Sequence, residues 1–146
     1  MSQQTEKTMK KILIAYHSQT GHTAQLVDAA YQGALNCGEL IDIDKKPASE
    51  VTVVDMQQAD AYLFATPENF GYMSGELKAL FDRTYEQSRE QTAGKTYGLL
   101  IACGNDGSGA KSSIERILTG YNMKNSGLCV INKGDMQAKT LKAAED

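Results

Sequence analysis

Short apolar runs alternate along this chain with stretches whose apolar residues recur at helical spacing. Lys11–Tyr16 (KILIAY) is apolar enough for a strand covered on both faces. From Thr23 the apolar positions become Leu26, Val27, Ala30, Tyr31, Ala34 and Leu35, which predicts a helix with Gly38, just past Cys37, as its stop. Glu39–Asp44 (ELIDID) alternates and predicts a second strand. The polar connection KKPASEVTVVDMQQ is short for a crossover helix, and one short helical turn is expected within it. Ala61–Ala65 is the third predicted strand, with the loop TPENFGYMSG after it. Ser74 is placed to cap a helix carrying Leu77, Leu80, Phe81 and Tyr85 on one side. Tyr97–Cys103 predicts the fourth strand, GNDGSG a loop, and Ala110–Leu118 a short helix. Leu128–Ile131 predicts the fifth strand, and Asp135–Glu145 a last short helix.

Strands that are apolar throughout and alternate with helices predict a parallel sheet covered on both faces: a doubly wound α/β fold with five strands. In such sheets ligands bind at the carboxyl ends of the strands, near the switch in strand order. Three predicted loops lie on that edge: Ser18–Thr23, Thr66–Gly75 and Gly104–Gly109. All three are rich in Gly, Ser, Thr and Asn. Many βα loops are turn-rich for local reasons, so the weight rests on three of them sharing one edge.

Totals narrow the function. A chain of 146 residues with 41% apolar and 23% charged residues predicts one globular domain, residues 10–146, after a polar and disordered tail at 1–9. A net charge of -3 gives no field that favours nucleic acid or an anionic membrane. No apolar run approaches the roughly 20 residues of a membrane span, and the first residues have no secretory h-region. Cys37, Cys103 and Cys129 are odd in number and widely spaced, which predicts free thiols in a reducing cytoplasm and no metal site.

The first loop holds three hydroxyl residues, a glycine and a histidine in six positions. A helix starting inside it offers unpaired N–H groups and a positive dipole end. Ser18, Thr20 and Thr23 add hydroxyl donors, and Gly21 lets backbone come close. This suits a phosphate. A helix capped by Thr20, with the other polar residues merely solvated, satisfies the same spacing.

SQTGHT resembles the phosphate loop of the flavodoxins, Ser/Thr-x-Thr-Gly-x-Thr, at all four fixed positions and in the same place after the first strand. That resemblance implies the flavodoxin-like fold with strand order 2-1-3-4-5 and FMN as cofactor. It implies phosphate contacts from the hydroxyls of Ser18, Thr20 and Thr23 and from the backbone N–H groups of Gln19, Gly21 and His22.

The second loop resembles another branch. ATPENFGYMSGELKALFDRT (Ala65–Thr84) is similar to the WrbA-type NAD(P)H:quinone reductases and related FMN reductases, with Thr66, Pro67, Phe70, Gly71, Met73, Ser74, Gly75, Lys78, Asp82 and Arg83 in agreement. The resemblance spans Lys11 to Ile131 in element order and is specific in the first two loops. It implies that Thr66, Pro67, Glu68, Asn69, Phe70 and Gly71 wrap the isoalloxazine. It also implies that Cys103, Gly104, Asn105 and Gly107 meet its pyrimidine edge. The chain departs from that branch in having no room for its oligomer-building insertion and no aromatic residue in the third loop. An uncovered ring face suits stacking of a nicotinamide or a quinone. The implied activity is transfer of hydride from NADH or NADPH through FMN to a quinone or similar small acceptor. Tyr72 is the one candidate catalytic side chain, and a homodimer or higher oligomer is expected to complete the pocket. The rival reading is a one-electron carrier with a redox protein as partner.

Other motifs fit less well. GNDGSGAKS resembles the NTPase phosphate loop, but Ala110 separates Gly109 from Lys111 and shifts Lys and hydroxyl out of place. No G-x-G-x-x-G follows the first strand, and Gly109 stands where a C-x5-R phosphatase needs Arg. Cys103 at the end of the fourth strand reads best as a small buried residue.

Overall fold

In the computed structural model, residues 10–19, 21–36, 41–104 and 106–136 are described. The strands are β1 (Lys10–Tyr16), β2 (Ile41–Pro47), β3 (Ala61–Asn69), β4 (Tyr72–Met73), β5 (Thr96–Cys103) and β6 (Lys124–Lys133). The α-helices are α1 (His22–Leu35), α2 (Val53–Gln58), α3 (Gly75–Thr92) and α4 (Ser108–Gly120), with a 3-10 turn at Ala48–Glu50. The sheet runs β2-β1-β3-β5-β6, all parallel, and β4 pairs antiparallel with β3. The expected order of 2-1-3-4-5 is corrected in its numbering by β4. The end of the third strand, expected at Ala65, also moves. β3 continues through the predicted loop to Asn69 and folds back on itself, with Glu68 paired to Met73 and Asn69 to Tyr72. The expected stop at Gly38 and most of the expected last helix lie outside the described residues.

Alternation along the central strands sorts the core. Leu13, Phe64 and Leu99 point to the face covered by α3 and α4, where they meet Leu77, Phe81, Ile114 and Leu118. Ile14, Ala65 and Leu100 point to the other face and meet Leu26, Val27 and Ala30 of α1. Successive side chains on opposite faces are the period-2 rule of a pleated strand. Both faces are covered, so the central strands are apolar without interruption.

The polar connection after β2 has its own stops. Thr52 and Asp55 form a reciprocal capping box at the start of the six-residue α2. Arg83 of α3 reaches back and donates to the carbonyls of Ala48 (3.0 Å) and Val51 (2.8 Å). The DR pair of the second-loop resemblance is therefore scaffold: Arg83 ties down the crossover, and Asp82 pairs with Lys78 one turn away at 2.7 Å.

Tyr121, 1% exposed, closes the α3–α4 side. Its ring meets Phe81 and Tyr85 edge-on, and its hydroxyl donates to the Phe81 carbonyl at 2.6 Å beside Thr84 Oγ1. Burial, partly offset by the Thr84 hydrogen bond, pushes the phenol up to about 12. Below pH 10 the phenol is protonated in both folded and unfolded chains. Between 10 and about 12 only the unfolded chain ionises, so stability falls there. Tyr121→Phe is expected to cost about 1 kcal/mol at neutral pH and to flatten part of the alkaline fall. Urea unfolding of both proteins across pH 8–12 checks both effects.

Candidate functional site

The chain reverses its direction of travel across the sheet between β1 and β3, so their carboxyl ends open a crevice. At the end of β1, the His17 N–H donates to the Ala65 carbonyl at 3.1 Å and holds the first loop against β3. Ser18 turns inward, and its Oγ accepts the Ala24 N–H of the first turn of α1 at 3.2 Å. Gly21 precedes α1 with φ 94°, a left-handed conformation that favours glycine. Thr20 lies outside the described residues. The helix is not capped by a side chain at the residue before it: Gly21 takes that place, and Ser18 does the capping from further back. His22 is the first residue of α1, Thr23 is buried, and Gln19 is exposed.

The N-terminus of α1 differs from the other three in charge. Asp55 caps α2, Glu76 sits in the first turn of α3, and two carboxylates, Asp106 and Glu68, accept N–H groups at the start of α4. The first turn of α1 has no acidic residue. A helix N-terminus carries roughly half a positive charge. At α1 that charge is not balanced by a first-turn carboxylate.

The second loop is a hairpin. Phe70 (φ 54°) and Gly71 (φ 69°) form its two-residue turn, both left-handed. Glycine adopts this readily, while a bulky Phe pays for it in strain. Phe70 is also fully exposed at 106%. Thr66 braces the base: its Oγ1 accepts the Ser74 N–H at 2.9 Å and donates to the Pro67 carbonyl at 2.8 Å. That hydroxyl is engaged inside the loop.

The third loop packs against the hairpin. A Cβ on Gly109 would lie 2.0 Å from the Gly71 carbonyl oxygen, so backbone rests on backbone here. The Ala110 N–H donates to Glu68 Oε2 at 3.0 Å, and the Met73 N–H donates to Ser113 Oγ at 3.3 Å. Gly107 is buried before α4 with φ 76°, and a Cβ there would press on Ile131 at 2.9 Å. It serves packing and faces inward. Asn105 lies outside the described residues.

Between these loops is a cleft of about 330 Å³, within the usual range of small-molecule sites, about 300–1,000 Å³. Gln19 and His22 line it from the first loop, Pro67, Glu68 and Asn69 from the second, and Ala102, Cys103 and Gly104 from the end of β5. Tyr72, 41% exposed, stands opposite Asn69 on β4 without lining the cleft. Cβ atoms built on Gly21, Gly71 and Gly104, one glycine from each loop, would meet nothing within 4 Å. Burial, then the nearby Glu68 and Asp106 carboxylates, push the Cys103 thiol up, which argues against a reactive thiolate. A second hollow of about 280 Å³ lies at the amino-terminal ends of the strands among Ile12, Ala61, Gly98 and Leu128. It is mostly apolar and gathers no convergent polar groups.

Residues 3–135 match the family described as NADPH-dependent FMN reductase. The chain belongs to that family. It is 26% identical over 130 residues to a probable NAD(P)H dehydrogenase (quinone) of Arabidopsis thaliana, covering 75% of this chain and 48% of the relative. It is 26% identical to an NAD(P)H dehydrogenase (quinone) of Acidithiobacillus ferrooxidans, covering 73% and 63% of the two chains. To the quinone-oxidoreductase QR2 of Triphysaria versicolor it is 28% identical, with 75% and 63% covered. The chain thus spans about half to under two thirds of the length of these curated relatives. Among solved structures, a WrbA-like flavodoxin from Agrobacterium tumefaciens superposes with a TM-score of 0.76 at 18% identity, covering 93% of this chain and 90% of that one. An archaeal flavodoxin does so with the same TM-score and identity, covering 92% and 91%. At these identities the superpositions establish the fold alone, and the flavodoxin-like fold is the one expected.

The cleft of this reductase-family chain has a fourth wall that the sequence reading missed. Gly134 and Asp135, just past β6, line it. Asn132, itself buried, holds their turn by donating from Nδ2 to the carbonyls of Gly134 (3.0 Å) and Asp135 (3.3 Å). The signal was available: a fifth parallel strand delivers its carboxyl end to the same edge, and NKGD follows it.

The contact between Gly109 and Gly71 gives a direct test. Gly109→Ala must push the two backbones apart and is expected to cost about 1–3 kcal/mol. Gly75→Ala places its Cβ in open space at the first position of α3 and is expected to be neutral or slightly stabilising. Thermal melts of the two variants against the parent separate these outcomes.

Proposed function

We propose that the cleft holds FMN and that the chain is an NAD(P)H-dependent flavin oxidoreductase acting on a quinone or similar small acceptor. The observation that carries this reading is the convergence of the loops at the switch point beside the start of α1, whose first turn has no acidic residue. Membership of the NADPH-dependent FMN reductase family supports it.

In this reading the phosphate sits on the first loop. The hydroxyls of Ser18, Thr20 and Thr23 and the N–H groups of Gln19, Gly21 and His22 hold it at the positive end of α1. The isoalloxazine would lie between the hairpin Thr66–Gly71 and the third loop at Cys103, Gly104 and Asn105, with Gly134 and Asp135 at its edge and Gly107 supporting that loop from behind against Ile131. Open space at Gly71 and Gly104 lets the ring approach backbone closely. Bound FMN supplies the electron transfer between nicotinamide and acceptor. The protein orients both reactants and keeps hydrogen-bond donors of the hairpin backbone aimed at the ring. Exposed Phe70 and Tyr72 offer flat apolar surface beside the cleft for a nicotinamide or quinone, and the Tyr72 hydroxyl is available to a substrate oxygen. A second copy of the chain covering Phe70 would close the pocket, in a homodimer or higher oligomer. Cys129, which is in no disulfide, supports a cytoplasmic setting. Among the described residues, no helix is long and apolar enough to cross a membrane.

Titration is expected to quench FMN fluorescence and raise the melting temperature; no change in either refutes the cofactor assignment. Thr20→Ala is expected to weaken FMN by tenfold or more and riboflavin far less, since a charge-assisted hydrogen bond is worth about 1.5–3 kcal/mol. Equal losses would take the phosphate away from this loop. In anaerobic stopped flow, NADH or NADPH is expected to bleach the flavin absorbance rapidly. Negligible bleaching by both would leave a one-electron carrier.

A further inference from the structure

We infer that Glu68 is a positioning residue of the flavin site, fastening the second loop to the third so that the hairpin backbone stands at a fixed height beside the ring. This rests on the FMN reading above and goes beyond it in giving one side chain a defined task.

The hairpin register sets the geometry. Glu68 and Met73 are directly opposite each other, so they share one face of the ribbon; Asn69 and Tyr72 share the other. The Glu68–Met73 pair is the one that meets α4. Glu68 accepts the Ala110 N–H at 3.0 Å, and the Met73 N–H donates to Ser113 Oγ, which in turn donates to the Ala110 carbonyl at 2.9 Å. Ala110 and Ser113 are three apart and lie on one side of the helix. Gly109 completes the contact by lying against Gly71.

The charge suits the place. Ala110 is the third residue of α4, where the N–H groups lack helical partners and the dipole is positive. A carboxylate there makes a stronger bond than a neutral acceptor. Asp106 takes the Ser108 N–H of the same turn at 3.0 Å, so this helix start is occupied by the chain's own carboxylates. Glu68 also borders the cleft, as do its chain neighbours Pro67 and Asn69. A side chain that lines the cleft while bonded to α4 fixes where the loop backbone stands. With its carboxylate engaged there, Glu68 acts through the loop and not as a proton donor to substrate.

The test uses the full chain, with FMN and riboflavin as fluorescent ligands. Glu68→Gln keeps an oxygen acceptor for Ala110; Glu68→Ala removes it. Glu68→Ala is expected to weaken FMN and riboflavin equally, by about tenfold, because the ring end is disturbed and the phosphate end is not. Glu68→Gln is expected to restore most of that loss. Ser113→Ala, which removes the second tie without touching the cleft, is expected to cause a smaller loss, again equal for both ligands, and serves if Glu68→Ala does not fold. Unchanged affinities in both alanine variants, a loss confined to FMN, or a Glu68→Gln variant as weak as Glu68→Ala would each overturn the inference. A parent protein that binds neither ligand would instead overturn the FMN reading itself.

Discussion

The backbone of Gly71 rests on Gly109 with no room for a methyl group between them. Most of the site's geometry descends from that contact. It brings the tip of a hairpin grown out of β3 against the first turn of α4, two segments about forty residues apart. Once they touch, Glu68 reaches the Ala110 N–H and Ser113 reaches the Met73 N–H. A side chain at 109 would overlap the Gly71 backbone and force the two loops to shift, straining both bonds. The contact also fixes one wall of the cleft, since Glu68 and Asn69 are carried on the hairpin and Gly104 lies on the segment that leads into α4.

Charge distribution then divides labour among helix starts. The N-termini of α2, α3 and α4 each have acidic side chains at or near them, which stabilises the helices where they stand. At α1 the nearby acceptor is the neutral Ser18 hydroxyl. A carboxylate in the first turn of α1 would repel a phosphate through the same field that otherwise attracts one. The NTPase-like GNDGSGAKS fails for the converse reason: the helix it opens already has carboxylates on its first N–H groups.

Much of this was legible in the sequence, and the rest was hidden for physical reasons. The central strands β1, β3 and β5 were readable because both faces are covered, which forces apolar runs such as Leu63, Phe64 and Ala65, and the edge strand β2 was readable from its alternation instead. Helix α3 was readable because Ser74 does cap it, accepting the Leu77 N–H. The hairpin was not, since Phe70-Gly71 lacks the Asn-Gly signature of a two-residue turn. Thr66 and Glu68 read as ligand-facing polar residues, yet their side chains bond to the Ser74 N–H and the Ala110 N–H. Such bonds depend on partners distant in the chain that spacing does not reveal. Arg83 carried a family resemblance and proves to be a brace on the 48–51 crossover.

Phe70 is the residue the fold has least reason to keep. A left-handed conformation costs a bulky side chain on the order of 1 kcal/mol or more, and full exposure forgoes the burial that normally repays an aromatic ring. Asn or Gly would relieve both penalties at this turn. The two legs of the hairpin, tied to α4 through Glu68 and Met73, can impose the strained conformation, but they do not require an aromatic ring there. A ring held stiffly in solvent, next to a cleft whose third loop has no aromatic of its own, makes sense if it meets a flat partner. The position of strain and the gap in the site's aromatic cover are therefore one feature: the apolar surface absent from the third loop is carried on the tip of the second.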